Sequence, residues 1–258
     1  MMIDKNRLLS MDSAKAIKAE GYGYLNAIHY MAPFTSGGVG DMCGNASPQC
    51  VELCLGWYSG HAAMVTDLET GIGKARASRI AKARMFMNDR STYMNHLARL
   101  IFRAEMKADR MGKTLCIRLN GSTDLNWSRI AFKPDGGTAR LIRAYENIYV
   151  NLPNLFADVQ FVEYTKDFKR LGKVAPNVHQ TFSFSGENHY ECKAALAGGH
   201  SIAVVFGHGL PKMWWGHPVI DGDIHDLRHL DPANVVVGLS PKGSKAKSST
   251  NGFVIRDY

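Results

Sequence analysis

Seven short apolar runs, most of them separated by helical or irregular stretches, constrain this chain more than any other feature. They read "LNAIHYMAP", "TLCIRLNG", "VQFVEYT", "VHQTFSFS", "SIAVVFG", "PVID" and "NVVVGL". The runs have strand length, and segments such as "TARLIRAYENIY" and "ENHYECKAALAGG" lie between several of them. Strands that alternate with helices pair in parallel, because each crossover carries the chain back over one face of the sheet. The expected fold is therefore α/β, a complete or partial (β/α) barrel with mainly parallel strands, in a single domain over residues 1–258. With 258 residues, 45% of them hydrophobic, the chain is long enough to bury a full core. No internal repeat is evident, and "GLSPKGSKAKSSTNG" is the one low-complexity stretch.

Residues at the C-terminal ends of parallel strands share one rim, where α/β barrels and open sheets place their chemistry. Here that rim collects Asn120, Ser122 and Asp124 after the second run, Lys166 after the third, Ser183, Ser185 and Glu187 at the end of the fourth, and Asp221 and Asp223 after "PVI". Asp124, Glu187, Asp221 and Asp223 are candidate acids, bases or Mg²⁺ ligands. Such carboxylates facing a cavity are expected to contribute little to the core. Asn120, Ser122, Lys166, Ser183 and Ser185 are candidates for holding a cofactor. In "VHQTFSFS", His179, Thr181 and Ser183 alternate with larger neighbours, so one face of that strand is polar along its length.

The loop after the first run, residues 34–60, carries "CGNASPQCVELC" and with it Cys43, Cys50 and Cys54, three of five cysteines. A disulfide uses two thiols and a tetrahedral zinc site needs four ligands, so neither closes on three. Zinc would draw its fourth ligand from His61, His29 or Asp41. An iron-sulfur cluster held by three thiolates leaves one iron open to a cosubstrate, which matches the odd count. Cys116 and Cys192 stand alone and are expected to be buried small hydrophobes. No stretch approaches the length of a membrane helix, and the first fifteen residues lack the apolar core of a signal peptide. The expected location is the cytoplasm, with no membrane partner, where reduced thiols favour a metal or catalytic role.

The net charge is +8, and ten basic residues stand against three acidic ones between Lys74 and Arg110. In this basic region, 74–110, Ile80, Ala83 and Met87, then Tyr93, Leu97, Leu100 and Ala104, recur at helical spacing, with a break near Asp89 and Ser91 as the next cap. Arg76, Arg79 and Arg84 then fall on the solvent side, either as a solvated face or as a phosphate-binding surface that Lys242 and Lys245 extend. The partner that suits this charge is a nucleic acid or a nucleotide.

A three-cysteine loop after the first strand of a partial barrel, with a polar turn after the second, resembles the layout of radical S-adenosylmethionine enzymes. The spacing here is Cys-x6-Cys-x3-Cys where those enzymes usually have Cys-x3-Cys-x2-Cys, and "NGSTD" stands where they often have Gly-Gly-Glu. A closer resemblance, carried by "YMAPFTSGG", "CGNASPQCVELCLG", "RIAKARMFMNDR", "IRLNGSTDLNW", "EYTKDFKR", "TFSFSGEN" and "VIDGDIHDLRHLDP", is to the phage and mobile-element family called gene product eighty-eight. It implies a viral origin, hence the cytoplasm of an infected host cell, and no particular reaction. Three functional readings follow. The first is a metal-dependent enzyme with a four-iron four-sulfur cluster on Cys43, Cys50 and Cys54 and S-adenosylmethionine on the open iron, modifying a nucleotide or nucleic acid. The second is a zinc-containing enzyme in which Asp124 and Asp221 serve as nucleophile and base in base exchange or glycosyl transfer on DNA or RNA. The third is a nucleic-acid-binding protein without catalysis, whose metal staples a loop.

Overall fold

The computed structural model describes residues 8–65 and 71–258; residues 1–7, on which part of the signal-peptide reading falls, lie outside the described residues. The chain begins with β1 (Leu9–Ser10), α1 (Ala14–Ala19) and β2 (Tyr24–His29). The cysteine loop carries α2 (Pro48–Glu52) and α3 (Leu55–Tyr58), and the basic region forms α4 (Lys74–Asn88) and α5 (Arg90–Arg110). Then come β3 (Thr114–Arg118), α6 (Gly136–Ile142), α7 (Leu152–Leu155), β4 (Gln160–Thr165), β5 (Val178–Ser183), α8 (His189–Ala197) and β6 (Ile202–Phe206). The chain ends with β7 (Met213–Trp214), β8 (His217–Asp221), β9 (Val236–Leu239), α9 (Gly243–Ser248) and β10 (Val254–Ile255).

All seven apolar runs are strands, and β1, β7 and β10 are added as two-residue pieces. The sheet runs β1-β2-β3-β4-β5-β6-β9-β8-β7, parallel throughout except for the antiparallel stubs β1 and β7 at its two ends. Among the described residues those ends do not pair with each other, so the sheet is open and the closed (β/α) barrel is not formed. Near the middle, β5 pairs with Ile202 and Ala203 of β6, whereas β10 takes over at Val205 and Phe206. The strands beside β6 thus change partway along it, and the C-terminal ends of β5 and β6 part.

The largest core lies on the outer face of β2, β3 and β4, where α4 and α5 cover the sheet. Alternation puts Leu25 and Ala27, Leu115 and Ile117, and Phe161 on that face. Against them α5 sets Tyr93, Met94, Leu97, Ala98, Ile101, Ala104 and Ala108. On α4 the buried apolar residues are Ala83 and Phe86, while Met87, expected inside, is 40% exposed. The cap of α5 is Asp89, whose carboxylate accepts from the Thr92 N–H at 3.2 Å, and not Ser91. His29 is part of this core. Its ring nitrogens meet the Leu119 carbonyl at 3.0 Å and the Tyr93 hydroxyl at 2.6 Å, and burial pushes its pKa down to about 3. It is therefore unavailable as the fourth zinc ligand.

The inner face of the sheet is closed by a clasp of charge. Segment 222–231, between β8 and β9, folds back against α1 and the start of β2. Lys15 donates to the Gly222 carbonyl and the Asp226 carboxylate, both at 3.1 Å, and Lys18 donates to the Asp223 carbonyl. The rings of Tyr22 and His225, and of Tyr24 and His229, meet edge to face. Asp226, 2% exposed, also accepts from Arg118 of β3 at 3.1 Å. Arg228, fully buried, pairs with Asp231 at 3.1 Å and not with Asp226. Burial alone would raise the pKa of Asp226, yet Arg118 and Lys15 hold it below the ordinary carboxylate range. A carboxylate with a depressed folded pKa stabilises fully above its unfolded pKa of about 3.9, and that contribution fades as pH falls through the folded value. Asp226→Asn leaves the Arg118 guanidinium buried without its counter-charge, so urea unfolding at neutral pH is expected to show a loss of about 3 kcal/mol or more.

Candidate metal centre and substrate cavity

At the C-terminal ends of the strands lies a cavity of about 660 Å³, within the range of small-molecule sites. Its walls come from β3, β4, β5, β6, the cysteine loop, α4 and the clasp. Cys43, Cys50 and Cys54 all line it, and all five cysteines of the chain are free thiols. Cys116 and Cys192 are fully buried elsewhere, as small hydrophobes.

Local sequence explains how the loop presents its sulfurs. Ser47 caps α2 by accepting from the Cys50 N–H at 3.1 Å, and Pro48 supplies a pre-set first helical residue. Cys50 lies within this short helix, and Cys54 stands two residues beyond its end, at the N-cap of α3. Gly56 lets the loop lie against the turn after β3, since a Cβ there would stand 2.5 Å from that of Ser122. A donor faces each sulfur. The Phe34 N–H points to Cys43 at 3.3 Å, the Gly56 N–H to Cys54, and the Lys166 ammonium to Cys50. Burial, followed by the neighbouring cysteines, pushes the Cys43 thiol up to about 12 and the Cys54 thiol up to about 11. The Lys166 pKa is raised too, for a different reason: burial would lower it, but Cys50, Asp124 and Cys43 raise it.

Three arginines hold this loop from the other side. Arg76 donates to the Trp57 carbonyl at 2.8 Å, Arg79 to the Gly56 carbonyl, and Arg84 to the Gly37 carbonyl at 3.2 Å. Arg76 also stacks on Trp57, and Arg79 on Tyr30. The expected solvent-facing arginine surface is thus engaged within the chain at these positions: α4 meets the loop's backbone because open carbonyls there need donors. Lys245 covers Tyr58 at 3.8 Å, and Lys242, half exposed at the cavity edge, pairs with Asp223 at 3.1 Å.

The rim residues divide sharply. Ser122, Lys166, Ser183, Asn120, Asp124 and Asp223 line the cavity, while Ser185, Glu187 and Asp221 do not. The side chain of Asn120 is consumed by its own turn, its oxygen accepting from Thr123, Leu125 and Trp127 and its amide donating to Glu163. Ser122 donates to the Met31 carbonyl at 2.6 Å. The Ser185 carbonyl accepts from Ser47 at 2.8 Å and Glu187 accepts from Gln49, so both serve to seat α2. Asp221 is exposed and accepts from the Asp223 N–H, because alternation along β8 turns it to the outer face. Asp124 and Asp221 are therefore not brought together on the cavity. Asp124 is also far from idle in the fold: it pairs with buried Arg170 and accepts from the Lys166 N–H at 2.8 Å, tying the β3 turn to the end of β4. Sequence reading passed over Tyr30, Lys82, Arg118 and Tyr164, all of which line the cavity. For Arg118 the signal was present: a charged residue inside an apolar strand, two before Asn120 and so on the same face.

Among the described residues no group of three or more His, Cys, Asp or Glu is placed to hold a single metal ion. His61 lines the cavity, and Asp41 accepts from the Cys43 N–H at 2.7 Å. No described helix is long and apolar enough to cross a membrane.

Two outcomes are expected. Asp124→Asn should lower thermal stability measurably, because it strips the buried Arg170 of its carboxylate. Arg76→Ala and Arg79→Ala should leave far-UV circular dichroism unchanged while amide exchange at Gly56 and Trp57 speeds up, and Arg103→Ala, on the exposed side of α5, should change neither.

A family model described as Gene product 88 matches residues 6–257. No curated protein and no solved structure gives a match. With the match running through the strands, the cysteine loop and the clasp alike, the chain belongs to the Gene product 88 family.

Proposed function

We propose that this protein is a metal-dependent enzyme that holds an iron-sulfur cluster on Cys43, Cys50 and Cys54 and modifies a nucleotide or nucleic acid, in the manner of radical S-adenosylmethionine enzymes. The observation that carries this reading is that three sulfurs from one loop line one cavity, each with a donor directed at it. Donors of that kind stabilise thiolates and tune a cluster's potential. Such a cluster, when bound, supplies one-electron chemistry to S-adenosylmethionine at its open iron. The chain's own residues do the rest. Lys166 sits beside Cys50 as a fixed positive charge, Ser122 and Ser183 offer polar atoms at the strand ends, and the cavity is large enough for a nucleoside-sized group. The viral family fits a place in the cytoplasm of an infected cell.

Colour and metal analysis test the reading. Protein purified and reconstituted without oxygen is expected to be brown and to bind iron and sulfide, and S-adenosylmethionine should perturb its spectrum. Cys43→Ala, Cys50→Ala and Cys54→Ala should each lose the iron, while Cys116→Ala and Cys192→Ala keep it. Colourless, zinc-loaded protein would sink the proposal, as would full iron retention by any of the first three variants.

A further inference from the structure

One wall of the cavity carries a side chain that these assignments leave unused. Helix α4 presents Ala75, Ser78, Arg79 and Lys82 to it, residues at the three- and four-step spacing of one helical face. Lys82 is 8% exposed, and among the described residues it makes neither a hydrogen bond nor an ion pair. Its charged neighbour is Arg79, of the same sign; burial, then Arg79, push the Lys82 pKa down to about 8. Among the described residues, the carboxylates that line the cavity are committed elsewhere: Asp124 to Arg170, Asp223 to Lys242 and Lys15, and Asp226 to Arg118 and Lys15, while Asp12 accepts from Ser10.

A charge buried without a counter-charge is costly, and cavities keep one where a ligand completes it. We propose that Ser78, Arg79 and Lys82 form an anion subsite that takes the phosphate of a nucleotide substrate. The identity of that substrate rests on the enzymatic reading above, whereas the subsite rests on the α4 wall alone. Two cations one helical turn apart with a hydroxyl on the same helical face suit a dianionic tetrahedral group better than a single carboxylate. The carboxylate of S-adenosylmethionine is the competing source of negative charge, and inorganic phosphate is another.

Isothermal titration of the full chain separates these sources. Nucleoside 5′-monophosphates are expected to bind about tenfold or more tightly than the matching nucleosides. Lys82→Met should abolish that difference with nucleoside binding unchanged, and Lys82→Arg should restore most of it. Lys82→Met should also melt at a higher temperature without ligand, since it removes an uncompensated charge; Lys82→Gln serves in its place if it does not fold. Equal affinity for nucleosides and their monophosphates overturns the inference, as does a monophosphate affinity that ignores both variants. Inorganic phosphate binding as tightly as the nucleotides, or S-adenosylmethionine alone losing affinity in Lys82→Met, overturns the nucleotide as occupant. Iron content is measured on the same samples. Protein that takes no iron yet binds monophosphates through Lys82 refutes the cluster and upholds the subsite, and iron-loaded protein indifferent to Lys82 does the reverse.

Discussion

The carboxylate of Asp226, gripped by Arg118 from β3 and Lys15 from α1, is the contact on which the architecture turns. Among the described residues the sheet has two unjoined ends, and no ladder of backbone bonds closes it. What spans the gap is one buried anion between cations from the first part of the chain, with the edge-to-face rings of Tyr22, Tyr24, His225 and His229 around it. A ladder would have drawn the edges together and filled the interior with side chains, as small barrels do. A clasp holds them apart at a fixed span and leaves a cavity at the strand ends.

The same economy governs the cysteine loop. Residues 34–60 contain only short helices, and the carbonyls of Gly37, Gly56 and Trp57 take their donors from outside the segment. Arg76, Arg79 and Arg84 meet that need from α4, and Ser47, Gln49 and Glu52 fasten α2 to Ser185, Glu187 and Asn251. Three sulfurs on a free loop would lose conformational entropy on meeting a metal; held from both sides, they have already lost it. The excess of positive charge in the basic helix thus has a structural use near the loop, and what remains unmatched, at Lys82, faces inward.

Polar rim residues also carry more of the fold than strand-end position alone implies. Asn120 ties three groups of its own turn to Glu163 of β4, and Asp124 with Arg170 fixes the turn that delivers Lys166 to the sulfurs. Positioning of this kind is what keeps a reactive group within reach of a cavity, and it explains why some rim residues line the site without being free to act in it.

Much of this was legible in the sequence. Strand periodicity and length gave all seven main strands and their parallel sense, because alternation and crossover distance are local properties. The grouping of Cys43, Cys50 and Cys54 followed from their spacing, and the burial of Cys116 and Cys192 from their isolation. Other features waited for the tertiary structure. Whether the sheet closes depends on the clasp, formed by residues more than two hundred positions apart. Asp221 and Asp223 look equivalent in "VIDGD", yet one residue of register turns the first outward, while the turn that follows brings the second to Lys242 and the cavity. The arginines of α4 read as a solvent face, since nothing local reveals that a loop with open carbonyls will lie against them. Lys82 was one cation in a basic run; only packing removed it from water and left it beside Arg79 with no ion pair among the described residues, because the counter-charges of a buried group come from wherever the chain returns.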